Sequence, residues 1–166
     1  MRVSILAAVA LTAVYAVAED ICPIPHARRL PVVDGVIGAH EYDEGVRFAG
    51  FLKTASDLRL TDTGEETATF LSDGRTLYVA WHIRARNVDH DGGLKSSAKI
   101  RDGAVWDDDS IELSVVGDDP DRIAHFIFNA IGTVYDSLSK RGKPADAKWN
   151  CDGVRVASKV NQGWWD

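Results

Sequence analysis

The strongest pattern in this chain is an apolar–polar alternation with a period of two. Leu77, Val79, Trp81 and Ile83 alternate with Tyr78, Ala80 and His82, which puts successive side chains on opposite faces of a strand. The turn Ser72-Asp73-Gly74-Arg75 introduces this strand, and residues 67–71 form its natural hairpin partner. Residues 110–116 repeat the pattern, with Ile111, Leu113 and Val115 on one face and Ser110, Glu112 and Ser114 on the other. That strand stops at Gly117-Asp118-Asp119-Pro120, a dense cluster of turn formers. Residues 123–130 predict the next strand, Gly132 separates it from a strand over 133–137, and residues 154–160 predict one more. Residues 140–144 read as a basic loop containing glycine and proline.

Upstream, Pro23, Pro25 and Pro31 mark an extended lead-in over residues 19–31. Val32-Val33-Asp34-Gly35 predicts a short strand and turn, and residues 39–45 a single helical turn. No stretch carries the period of a long amphipathic helix. Short strands and strong turns together predict an all-β domain, an antiparallel β-sandwich of jelly-roll-like kind over residues 32–166. The chain ends on Gly163-Trp164-Trp165-Asp166 directly after a strand, which predicts further strands in a longer protein.

Composition changes this picture in two ways. With 19 basic and 25 acidic residues among 166, the formal charge is −6, and such a surface repels phosphate backbones and acidic lipids, so neither nucleic acid nor a membrane surface is an expected partner. The first residues stand apart from the domain. Met1-Arg2 precedes an uncharged run from Val3 to Val17 that ends in Ala16-Val17-Ala18, the order of a secretory signal peptide cleaved after Ala18. The run is shorter than the roughly 20 residues a spanning helix needs. The mature protein is therefore expected to be secreted or periplasmic. In that setting Cys22 and Cys151, the two cysteines, predict one disulfide. It would close a long loop, worth about 4–5 kcal/mol in the chain-entropy model.

Several of these segments, in order, resemble family 9 carbohydrate-binding modules. The run Val105-Trp106-Asp107-Asp108-Asp109-Ser110-Ile111-Glu112-Leu113 looks like that family's central motif. Before it stand Val33-Asp34-Gly35-Val36 with Glu41, and Asp73-Gly74-Arg75-Thr76-Leu77-Tyr78-Val79-Ala80. After it come Phe126-Ile127-Phe128-Asn129 with Gly132, and then Trp149. The resemblance implies a β-sandwich that binds sugars without cleaving them and serves as an accessory module in carbohydrate catabolism, joined to a catalytic domain. It implies that Trp106 stacks on a sugar ring, with Glu112 and Asn129 as polar partners, and it allows a structural calcium ion while requiring no cofactor. The sequence departs from the pattern at Ile127, where some members carry arginine, and at Ile83-Arg84-Ala85-Arg86, where an aspartate is usual.

The residue types suit this chemistry. A pyranose needs a flat apolar surface for its C–H face and polar groups for its hydroxyls. Strand parity turns Glu112, Asn129, Tyr78 and His82 away from the apolar faces of their strands, so adjacent strands would gather them with Trp106 into one ligand-binding patch. Four other readings compete. Trp106 can plug the end of a structural or protein-interaction sandwich that has lost its sugar site. Asp107-Asp108-Asp109, or Asp89 and Asp91, offer carboxylates to calcium. A glycosidase needs two carboxyls at a set separation, and Glu112 with Asp107 or Asp109 supplies the types without a catalytic motif, so no enzyme activity is expected of this segment. Finally, His82 and His125 could ligate a b-type haem if their strands were neighbours.

Overall fold

The structure, a computed structural model, describes residues 22–49, 65–85 and 94–166. The signal peptide predicted at residues 1–18 and the Asp89/Asp91 loop lie outside the described residues. Eight strands are present among those described: β1 (Val46–Ala49), β2 (Thr67–Ser72), β3 (Leu77–Arg84), β4 (Ser110–Val116), β5 (Arg122–Asn129), β6 (Val134–Lys140), β7 (Val160–Asn161) and β8 (Trp164–Trp165), with one 3₁₀ turn at Val105–Asp107. They form two sheets, ordered β1-β2-β3-β8-β7 and β4-β5-β6. All strand pairs are antiparallel. The all-β class expected from the alternation is therefore present.

The strongly alternating segments fold as expected. β2 and β3 pair as a hairpin from Thr67 opposite His82 to Ser72 opposite Leu77. The turn between them is held by Asp73, whose Oδ1 accepts from the backbone N–H groups of Arg75 (2.8 Å) and Thr76 (2.7 Å). These bonds hold the Asp73 carboxyl below its usual range. In the other sheet Ile111, Leu113 and Val115 share a face with Phe126, Phe128, Val134 and Asp136. Trp149 covers that face edge-on to Phe126 at 6.2 Å. Asp136 is fully buried there and is forked by Arg101, Nη2 to Oδ2 at 2.7 Å and Nε to Oδ1 at 3.2 Å. Cys151 N–H donates to the same carboxylate at 2.6 Å, which pins the 150–151 segment against β6.

Elsewhere the local signals mislead. Residues 32–35 bend instead of forming a strand, and residues 39–45 make turns without a helix. The Glu41 carboxylate organises this stretch, with Oε1 accepting from Val32 N–H (2.6 Å) and Oε2 from Gly38 N–H (2.9 Å). Gly35 sits at φ 80°, where a Cβ would lie 2.9 Å from the Ser158 backbone carbon, so both the conformation and the close approach require glycine. The strand predicted over 154–160 survives only as β7. A two-residue turn then follows, Gln162 and Gly163, both at positive φ (50° and 82°), as in a tight hairpin. It returns the chain as β8, which pairs Trp165 with Ile83 and Trp164 with Arg84. Trp165 is buried, and its Nε1 donates to Ser158 Oγ (2.7 Å), which donates to the Ala130 carbonyl (2.9 Å). This relay ties β8 of one sheet to the end of β5 in the other. Cys22 and Cys151 are free thiols in the structure, not the expected disulfide, with Cys22 exposed and Cys151 half-buried.

Candidate functional site

The five residues singled out for ligand binding fall on two sheets, so they do not form one patch. Tyr78 and His82 belong to β3, whereas Glu112 and Asn129 belong to β4 and β5. Both β3 residues are already engaged. Tyr78 donates its hydroxyl to Asp73 Oδ2 at 3.2 Å. It also lies near Tyr42, whose phenol is pushed up to about 12 by burial first and by the charges of Glu41, Tyr78 and Asp34 after that. His82 Nδ1 bonds Asp166 Oδ1 at 2.6 Å, and its ring stacks on Trp164 at 4.1 Å. Arg84 lies over the same indole at 4.7 Å. Because β3 and β5 lie in different sheets and His125 is bonded to Glu112 at 3.0 Å, His82 and His125 do not make the bis-histidine pair that haem would need.

Asn129 keeps its strand parity but not the solvent exposure that parity suggested. It is completely buried. Its Nδ2 donates to the Ala98 carbonyl (2.8 Å) and Asp108 Oδ2 (2.9 Å), while its Oδ1 accepts from Thr133 N–H (2.8 Å) and Ile131 N–H (3.3 Å). Four bonds exhaust the capacity of an amide side chain, so Asn129 organises the β5–β6 turn and has nothing left for a sugar hydroxyl. The turn itself needs the positive φ of Gly132 (79°).

The aspartate run is structural as well. Asp108 accepts from Ser97 N–H (2.8 Å), Ala98 N–H (2.9 Å) and Asn129. Desolvation pushes the Asp108 carboxyl up, but the bonds from Asn129, Ser97 and Ala98 outweigh it and hold it at about 2. Asp109 accepts from Lys95 N–H at 2.6 Å, and its own N–H donates back to the Lys95 carbonyl at 3.0 Å. With these oxygens turned onto backbone N–H groups, the run does not fit the shared oxygen cage of a calcium ion. Among the described residues no group of three or more His, Cys, Asp or Glu side chains is arranged to hold a metal.

What remains available is the face of the three-stranded sheet opposite its apolar side. The 3₁₀ turn packs against β5 and presents Trp106, 53% exposed, with its indole edge-on to Tyr135 at 5.1 Å. Tyr135 stands opposite Ile127, which stands opposite exposed Glu112, so all three share this face. One step along, Ser114, His125 and Ser137 form the next row. His125 Nε2 lies 3.0 Å from Glu112 Oε2. Trp106 and Glu112 are thus brought onto one face, and Tyr135 and His125 join them. Neither was expected at this site, although the hairpin register set by the Gly132 turn was enough to find Tyr135. The face offers an aromatic edge, an exposed carboxylate, an imidazole and the hydroxyl of exposed Ser114, Ser137 being buried, the mixture that a polar ligand with one apolar side requires. No family model matches the chain, and it has no significant relative among curated proteins or solved structures.

Proposed function

We propose that this chain is a non-catalytic carbohydrate-binding β-sandwich, with the two antiparallel sheets as its layers, that recognises a polysaccharide or oligosaccharide in support of carbohydrate breakdown. The observation that carries the reading is the exposed Trp106 indole, backed by Tyr135, on the same sheet face as the exposed carboxylate of Glu112. About half of this indole stays uncovered despite its edge contact with Tyr135, and such an apolar surface matches the C–H face of a pyranose. Glu112 supplies an acceptor for hydroxyls. In this reading the protein is exported after cleavage at Ala18, acts as an accessory module beside a catalytic domain, and needs no cofactor.

A second reading is favoured by one specific observation. Asn129, a polar residue of the resemblance, is spent on internal bonds, as expected of a structural or protein-interaction sandwich that has lost its sugar site. The two readings separate in calorimetric titration of the mature protein with xylo-, cello- and manno-oligosaccharides, run beside a Trp106→Ala variant that circular dichroism shows to be folded. Sugar binding is expected for the wild type and a loss of at least about tenfold for the variant, since stacked aromatics dominate such sites. No heat with any sugar favours the second reading, whereas equal binding by both proteins places the sugar away from Trp106 and overturns the proposed site.

A further inference from the structure

We propose that His125 positions the Glu112 carboxylate for its ligand and makes binding by this face tighter in mild acid; the inference rests on the carbohydrate reading above. Glu112 is an exposed glutamate on a strand, and such a side chain ordinarily samples many rotamers, each of which loses freedom on binding. Here it is not free. His125 sits diagonally across the β4–β5 ladder, where side chains on neighbouring strands meet, and its Nε2 holds Glu112 Oε2 at 3.0 Å. The second oxygen, Oε1, has no partner among the described residues, nor does His125 Nδ1. The pair therefore presents one anchored acceptor and one open imidazole nitrogen beside the Trp106–Tyr135 edge.

The open nitrogen is what makes the pair responsive to pH. Neutral imidazole that donates from Nε2 to Glu112 leaves Nδ1 as an acceptor, while protonation turns both nitrogens into donors. Protonation also converts the Nε2–carboxylate contact into a bond between two charged groups, which is shorter and stronger. The protonated pair holds the carboxylate more firmly and offers a ligand hydroxyl one donor and one acceptor side by side. No competing charge stands in the rows around it. On β4 the neighbours of Glu112 are Ser110 and Ser114, on β6 His125 faces Ser137 with Tyr135 and Ser139 at the diagonals, and along β5 it is flanked by Ile123 and Ile127. On the 3₁₀ turn beside this face the charged residue is Asp107, which is exposed. Among side chains it is imidazole that ordinarily changes charge between about pH 5 and pH 8, and the two conditions of the test lie near the ends of that range.

The test is calorimetric titration of the mature protein with whichever oligosaccharide of the panel binds it, at about pH 5.5 and about pH 8. Wild type is compared with His125→Gln, His125→Ala and Trp106→Ala, each checked for folding by circular dichroism. Wild type is expected to bind roughly three- to tenfold tighter at the lower pH. His125→Gln keeps an N–H able to reach Glu112 but cannot titrate, so it is expected to bind with one affinity at both values. His125→Ala is expected to bind more weakly than wild type at both. A wild type without the pH step, a step of opposite sign, or a His125→Gln variant that retains the step overturns the inference while leaving intact a carbohydrate site that Trp106→Ala abolishes. Absence of binding by wild type at either pH overturns the carbohydrate reading and this inference with it.

Discussion

At the scale of single residues, the polar side chains of this protein divide by what their oxygens already touch. Asp108 and Asn129 look from the sequence like ligand-binding or metal-binding groups, yet their atoms are committed to the backbone of residues 97–98 and of the β5–β6 turn. Glu112 lies on the neighbouring strand with one oxygen free. The Asp108 network predicts a particular acid response. Its folded carboxyl lies at about 2, below the ordinary 3.8, so its stabilisation is complete above about pH 4 and is lost as pH falls through about 2. Asp108→Asn is expected to destabilise the protein at neutral pH by about 2 kcal/mol, the scale of a hydrogen-bonded charge. Urea unfolding of both proteins should show that difference shrinking towards about pH 2. A difference that holds constant or grows on acidification would contradict the assignment.

Elements in this chain are legible where alternation runs for six or more residues between turn formers. β3 and β4 are such cases, and Asp73 and Gly74 mark the β2–β3 turn in the sequence before the fold is seen. β1 and β8 were not legible, because a four-residue and a two-residue strand carry too few positions to display a period. β8 forms only because Gln162 and Gly163 accept a left-handed turn and Ile83 and Arg84 offer an open ladder. Residues 154–159 show the converse, strand-like composition that finds little ladder to join. Asp136 was also hidden, since an aspartate within a strand reads as solvated until Arg101 arrives from 35 residues away. Breaking that pair leaves a buried charge without its partner. Arg101→Ala is expected to cost about 3–5 kcal/mol in chemical unfolding, whereas Arg141→Ala, whose partner Asp121 is on the surface, is expected to cost at most about 1 kcal/mol. Similar costs for the two variants would show that the Arg101–Asp136 pair is not what holds the 150–151 segment.

The whole molecule separates two tasks between its sheets. The five-stranded sheet gathers the lead-in at Ser72 through Ala27 N–H (2.7 Å) and Pro25 O (3.0 Å), and closes on β8. Its sequence-predicted site residues Tyr78 and His82 spend their polar groups on Asp73 and Asp166. The three-stranded sheet carries Phe126 and the buried Asp136 on its apolar face, where Trp149 packs on Phe126, and leaves Trp106, Tyr135, Glu112 and His125 on the other. Parity along each strand could reveal which residues leave the apolar face. It could not reveal which strands share a sheet, because that is set by pairing between residues distant in sequence, and so the expected five-residue patch divides: Trp106 and Glu112 share one face, Asn129 is buried, and Tyr78 and His82 stand in the other sheet. In the proposed reading, ligand meets the molecule on the β4–β5–β6 face at Trp106. Amide and indole chemical-shift mapping during titration with a binding oligosaccharide tests it most directly. The Trp106 indole and the backbones of Glu112, His125 and Tyr135 are expected to shift together, while Tyr78, His82 and Trp164 stay in place. Shifts centred on the β3–β8 seam with Trp106 unmoved would contradict it.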